Sequence, residues 1–221
     1  MARVRAAEVG RPLGAFLVVL AAGLALVLVY SARPSAGASP TTAAGTAPQL
    51  APLPAGAPVA NGPIVPTRLQ IPAIHVDAPV ESRGTVRYDN PFTGQPVEGY
   101  GVPGSMWATS WWSDGPRPGS GRMAVILGHA QAAGGAVFDH LADLRPGNDV
   151  LLVDGGGAAL HLQVLGDPLT GLDKSTSALA DALNGHPPDA AVALVTCGGQ
   201  FDRAAGASVD NEVVFATVVG R

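Results

Sequence analysis

Cysteine occurs once in this chain, at position 197. That scarcity excludes an intramolecular disulfide framework and any cysteine-rich zinc site. Basic charge is also short: 13 Lys and Arg stand against 17 Asp and Glu, a formal charge of −4. Nucleic-acid-binding domains carry a basic footprint, so no nucleic-acid partner is expected. Aromatic residues make up 5% and charged residues 14% of the chain, and no internal repeat is evident. What is abundant is small or apolar: 47% hydrophobic residues, 29 Gly and 20 Pro in 221 residues. That length allows one ordinary domain or two small ones.

Charge is unevenly spread. Arg3, Arg5, Arg11 and Arg33 against Glu8 leave the first 33 residues at +3, whereas residues 64–221 hold 9 basic and 16 acidic groups. Between the arginines, Leu13 to Tyr30 contains no charge, Asn, Gln, Ser or Thr. As a helix these residues reach about 27 Å, enough to cross a bilayer core of about 30 Å. The predicted anchor covers residues 13–31. The positive-inside rule puts residues 1–12 in the cytoplasm and the rest outside. The competing reading is a cleaved signal peptide, with Ala36, Gly37 and Ala38 as a small-residue site. No cysteine lies near residue 38, which excludes a lipoprotein anchor.

Residues 32–63 contain 10 Ala and 7 Pro and no charge after Arg33. Proline at this density blocks helices and sheet ladders, and large apolar groups are too few for a core. This stretch reads as a disordered tether. From Ile64 the pattern changes. Leu69, Ile71, Ile74, Val76 and Val80 suggest short strands broken at Pro72 and Pro79. Residues 81–121 read as long loops with short strands. Met123–Leu127 is a buried strand, and residues 137–144 have helical spacing for a turn or two. Residues 149–153 and 158–164 flank a triple-glycine turn and predict a hairpin. A short helix is expected over 175–183, and strands over 190–196 and 212–219. Short strands at close spacing predict an all-β barrel or sandwich over residues 64–221.

Cys197 follows Leu194, Val195 and Thr196 at an expected strand end and precedes Gly198 and Gly199. A lone cysteine is more often a small buried hydrophobe than a nucleophile. Two features argue for chemistry here. An unpaired thiol outside the cytosol is an oxidation liability. In addition, His129 sits in a similar strand-end setting, after Leu127 and Gly128. One Cys with a distant His fits a Cys–His catalytic pair.

These residues resemble the sortases, cysteine transpeptidases of Gram-positive surfaces. The resemblance lies in Leu127-Gly-His-Ala130, Leu194-Val-Thr-Cys197 and the opening Leu69 to Val80. Pro118 to Gly121, Phe138 to Leu141 and Leu144 to Gly147 also agree. Thr196-Cys-Gly-Gly199 with Phe201 and Asp202, then Asp210 to Ala216, is most similar to the class F branch common in actinobacteria. Scarce Lys beside rich Ala, Gly, Pro and Arg suits such a high-GC source. The resemblance covers residues 64–221 and implies an eight-stranded β-barrel with short helices. It implies that Cys197 attacks a C-terminal sorting motif of another secreted protein to form a thioester. His129 then serves as acid and base, and an amine of a cell-wall precursor or pilin takes the acyl group. It also implies an oxyanion-stabilising arginine. Arg203 is the candidate, because residues 209–211 at the last strand's start hold no cation; Asn211 is the competing donor. The alternative is a non-catalytic or impaired sortase-fold module that binds wall proteins or peptides. An L,D-transpeptidase does not fit, since His129 and Cys197 are 68 residues apart.

His75, His140, His161 and His186 read as structural or solvated, and Trp107, Trp111 and Trp112 as barrel packing. Asp77 and Asp89 lack the acidic loop spacing of a Ca²⁺ site. No metal and no cofactor are expected.

Overall fold

The computed structural model describes residues 58–131 and 133–219. The anchor expected over 13–31 and the tether up to residue 57 lie outside them. Among the described residues, no helix is long and apolar enough to cross a membrane.

Eleven strands follow one another: β1 (Pro66–Ile71), β2 (Val76–Arg83), β3 (Thr85–Asp89), β4 (Pro96–Tyr100), β5 (Thr109–Trp112), β6 (Ala124–Gly128), β7 (Asp149–Asp154), β8 (Ala159–Val164), β9 (Leu169–Asp173), β10 (Val192–Asp202) and β11 (Ala207–Val218). One α-helix, α1 (Ala178–Asn184), precedes β10. Eight strands run in the order β10, β6, β5, β2, β1, β7, β8, β11, and β11 pairs back with β10. The ring closes, as expected for an eight-stranded barrel. Within the ring every strand therefore has a neighbour on both sides. β9 adds to β11 outside the ring, and β3 with β4 form a separate two-stranded sheet.

Alternation along each strand divides its side chains between two cores. Val192 and Leu194 of β10, Ile126 of β6 and Val214 of β11 share the barrel interior with Leu69, Ile71, Leu152 and Leu162. The residues between them face outward. Ala193, Val195 and Cys197, Val125 and Leu127, and Val213 and Phe215 form a second cluster under Leu179 and Leu183 of α1. A seven-residue helix is too short to persist alone; covering this outer face is what holds it.

The short strands expected within residues 81–121 are located, and two other segments differ from the sequence reading. Residues 81–121 contain β3, β4 and β5. β3 is exposed on nearly every residue, so it shows no apolar alternation. β5 is buried but includes Thr109 and Ser110, whose hydroxyls donate to Pro79 O (3.1 Å) and Gly101 O (2.7 Å). A buried strand whose polar groups are satisfied in this way looks like a loop in sequence. β10 does not end near Cys197 but runs on to Asp202, with a register shift between Gly198 and Phe201. The last tether residues also join the barrel. Ala60 N donates to Ala159 O and Ala159 N to Pro58 O, both at 2.8 Å.

Candidate active site

β6 and β10 are parallel neighbours, with Val195 opposite Leu127. Thr196 Oγ1 donates to Gly128 O at 2.9 Å and carries the alignment one step further. Continued past its last pair, Val195 with Leu127, this register runs toward Cys197 on one strand and His129 on the other. Both residues continue the outward-facing series, 193, 195, 197 and 125, 127, 129. On its other side, Cys197 pairs with Asn211 of β11. Of the residues singled out in sequence, Cys197 and Asn211 are thus direct cross-strand partners, and His129 follows the strand next to Cys197's own. All are buried, Cys197 at 5% and His129 at 6% exposure.

His129 Nε2 lies 2.9 Å from Pro103 O. A carbonyl only accepts, so Nε2 carries a proton and Nδ1 is left for proton transfer. The loop after His129 is pinned by Asp139, whose carboxylate accepts from Gln131 N (2.7 Å) and Ala136 N (2.8 Å). Phe138, buried beneath this loop, needs Gly128 beside it, since a Cβ there would run into its ring.

Cys197 lines a groove of about 570 Å³ together with Met106, Asp139, Phe201, Ser208 and Glu212. Gly198 and Gly199 form part of its floor. A Cβ on Gly198 would stand 2.6 Å from Glu212 Cγ, and Gly199 has φ +69°, a left-handed conformation. The two glycines therefore let β10 and β11 approach beside the thiol. Phe201 is 52% exposed and gives the groove an apolar side.

The cation at the thiol is not Arg203. Arg203 is exposed in the turn between β10 and β11, six residues beyond Cys197. That is roughly 20 Å of extended chain. It does not line the groove, although Phe201 and Gly206 on either side do. Instead Lys174, directly after β9, donates from Nζ to Cys197 Sγ at 3.3 Å. Lys174 is 1% exposed. β9 pairs with β11, so Leu172 faces Asn211 and Lys174, two residues on, faces the same way. Its backbone is held at both ends: Lys174 N donates to Val209 O (3.0 Å), and Asn90 Nδ2 donates to Lys174 O (3.1 Å). The sequence reading missed Lys174. One signal could have found it: Lys174 is the only lysine in the chain, against twelve arginines.

Burial pushes the Cys197 thiol above its ordinary range; the Lys174 ammonium pulls it down and the Glu212 carboxylate pushes it up. Glu212 is itself raised, by burial first and then by Asp210 and Asp143.

The other expected residues are accounted for as packing or surface. Trp111 is buried with Nε1 donating to Pro116 O (3.1 Å), and Trp112 meets Tyr100 edge-on at 4.9 Å. His75, His140 and His161 are exposed, and His186 bonds to Pro187 O (2.8 Å). Asp77 accepts two hydrogen bonds from Arg68, at 2.7 and 2.6 Å. Among the described residues no group of three or more His, Cys, Asp or Glu is placed to hold a metal.

A closed eight-stranded barrel with a groove beside a lone buried thiol is the class of protein the fold defines. The sortase domain family model matches residues 69–219, and the chain belongs to that family. The fold is similar to sortase A from Corynebacterium diphtheriae (17% identity, TM-score 0.48), covering 72% of this chain and 62% of that one. It is also similar to sortase C-1 from Actinomyces oris (20%, TM-score 0.47, 70% and 73% covered). A third similar structure is sortase C-1 from Streptococcus pneumoniae (17%, TM-score 0.49, 70% and 67% covered). The chain thus spans 62% of the Corynebacterium protein's length. No curated protein matches it in sequence.

Proposed function

We propose that this protein is a membrane-anchored cysteine transpeptidase of the class F type, with its barrel outside the cell. The observation that supports this is Cys197 in the wall of a groove of about 570 Å³, on the strand that pairs in parallel with the one leading into His129. The Cys197 proton passes to His129. The thiolate then forms a C–S bond to a backbone carbonyl carbon in a C-terminal sorting motif, and the carbonyl π pair moves to oxygen. Collapse restores the carbonyl and breaks the C–N bond, and the departing amine takes the proton from His129. An incoming amine of a cell-wall precursor or pilin reverses these steps and releases Cys197. Because the thioester conserves bond energy, no nucleotide is needed outside the cell. Arg203 lies in the turn between Phe201 and Gly206 of the groove, and its part in this reading is contact with the bound peptide.

The test is mass spectrometry of the protein incubated with sorting-motif peptides. A thioester on Cys197, absent in Cys197→Ala, is expected, followed by transfer to an added amine. In the same assay Arg203→Ala raises KM. The thiol's burial favours one other reading, a peptide-binding module without catalysis. Equal peptide binding by wild type and Cys197→Ala, with no thioester in either, decides for that module. Protease protection of residues 1–12 in intact cells, with the barrel digested, tests the orientation.

A further inference from the structure

We infer that Lys174 is a catalytic residue: its ammonium stabilises the Cys197 thiolate and then the oxyanion that replaces it, the role assigned by family resemblance to an arginine. The inference rests on the transpeptidase reading for its second half only. Its basis is a coincidence of placement. The chain's single lysine is fully buried, and its Nζ lies 3.3 Å from the single cysteine's Sγ. Burying an ammonium is costly unless it meets a partner. The space this buried side chain fills would be met equally by a methionine, which has no charge to desolvate. The backbone from which the side chain extends is also held in place, because Val209 and Asn90 bind Lys174 N and O.

The geometry suits acyl transfer. In the first step, negative charge sits on Sγ. When the C–S bond forms, that charge moves to an oxygen two bonds away. A cation beside Sγ is therefore near both positions, and in a water-excluded site its effect is large. Lysine can follow the shift because its ammonium has three donors on a flexible stem. Glu212, across the groove wall, acts in the opposite sense on the thiol.

Two measurements test this. The first is the rate of Cys197 alkylation by iodoacetamide against pH. In Lys174→Met the neutral-pH rate falls about tenfold or more, which is one unit in the thiol's pKa, and Lys174→Arg restores most of it. The same substitution lowers kcat for sorting-peptide transfer and leaves KM in place. An alkylation profile in folded Lys174→Met that overlays wild type overturns the assignment. So does an equal loss in folded Lys174→Arg. If Lys174→Met does not fold, the wild type carries the test. With nitrogen-15 lysine the chain gives one side-chain ammonium signal, and capping Cys197 with methyl methanethiosulfonate shifts it. A signal that does not move overturns the pairing. Failure of the transpeptidase reading is distinguishable: wild type then forms no thioester, while the alkylation loss in Lys174→Met persists.

Discussion

Two charges of opposite sign act on the Cys197 thiol, and burial outweighs both. Lys174 favours the thiolate, and Glu212 disfavours it. Glu212 is half-buried near Asp210 and Asp143, so ionising it costs more in the folded protein than in the unfolded chain. The linkage follows directly. A carboxyl whose folded pKa is raised contributes stability below its unfolded value, about 4.3, and loses it as pH rises through the folded value. Glu212→Gln therefore melts at a higher temperature than wild type near neutral pH, and the gain vanishes at about pH 4 and below. Thermal melts across this range check it. The same substitution removes a charge that opposes ionisation of Cys197, so neutral-pH alkylation speeds up. Cys197 and His129 were readable as candidates because each is followed or preceded by glycine at the close of an apolar run. Lys174 was not, because nothing in the Leu172, Asp173, Lys174, Ser175 stretch shows that its side chain turns inward.

At the scale of elements, β10 and β11 form the long hairpin that carries the site. Its register shift falls between Gly198 and Phe201, directly after the thiol. Gly199 takes φ +69°, and a Cβ there would also meet the Asp210 carboxylate. A left-handed residue with a Cβ costs about 1–2 kcal/mol. Gly199→Ala is accordingly expected to lose about that much stability in urea, and to misplace the backbone beside Cys197. β6, β7 and β8 were legible because their core residues are apolar and their turns glycine-rich. β5 was not, since its buried hydroxyls are satisfied by distant carbonyls that sequence does not display. β9 was hidden for another reason: its residues are largely exposed, and its partner is the end of β11, far along the chain.

For the whole molecule, the barrel draws in residues 58–60, the described end of the proline-rich segment. Pro58 to Ala60 pair with Ala159, and Ile64 N donates to Pro118 O at 3.0 Å. A chain beginning at residue 64 loses the two bonds to Ala159. At about 1 kcal/mol each, it should be about 2 kcal/mol less stable than one beginning at residue 58. Denaturant titration of the two chains measures this. The sequence by itself determined the all-β class, the proline-rich composition of residues 32–63, His129 and Cys197 as candidates, and the family to which they point. These are local properties: apolar period, proline density and residues at the ends of apolar runs. Only the tertiary structure decided which cation reaches the thiol. That choice depends on β9 leaving the ring to pair with the end of β11. A contact between side chains on separate strands is set by sheet order and register, and neither is written in the residues around Lys174.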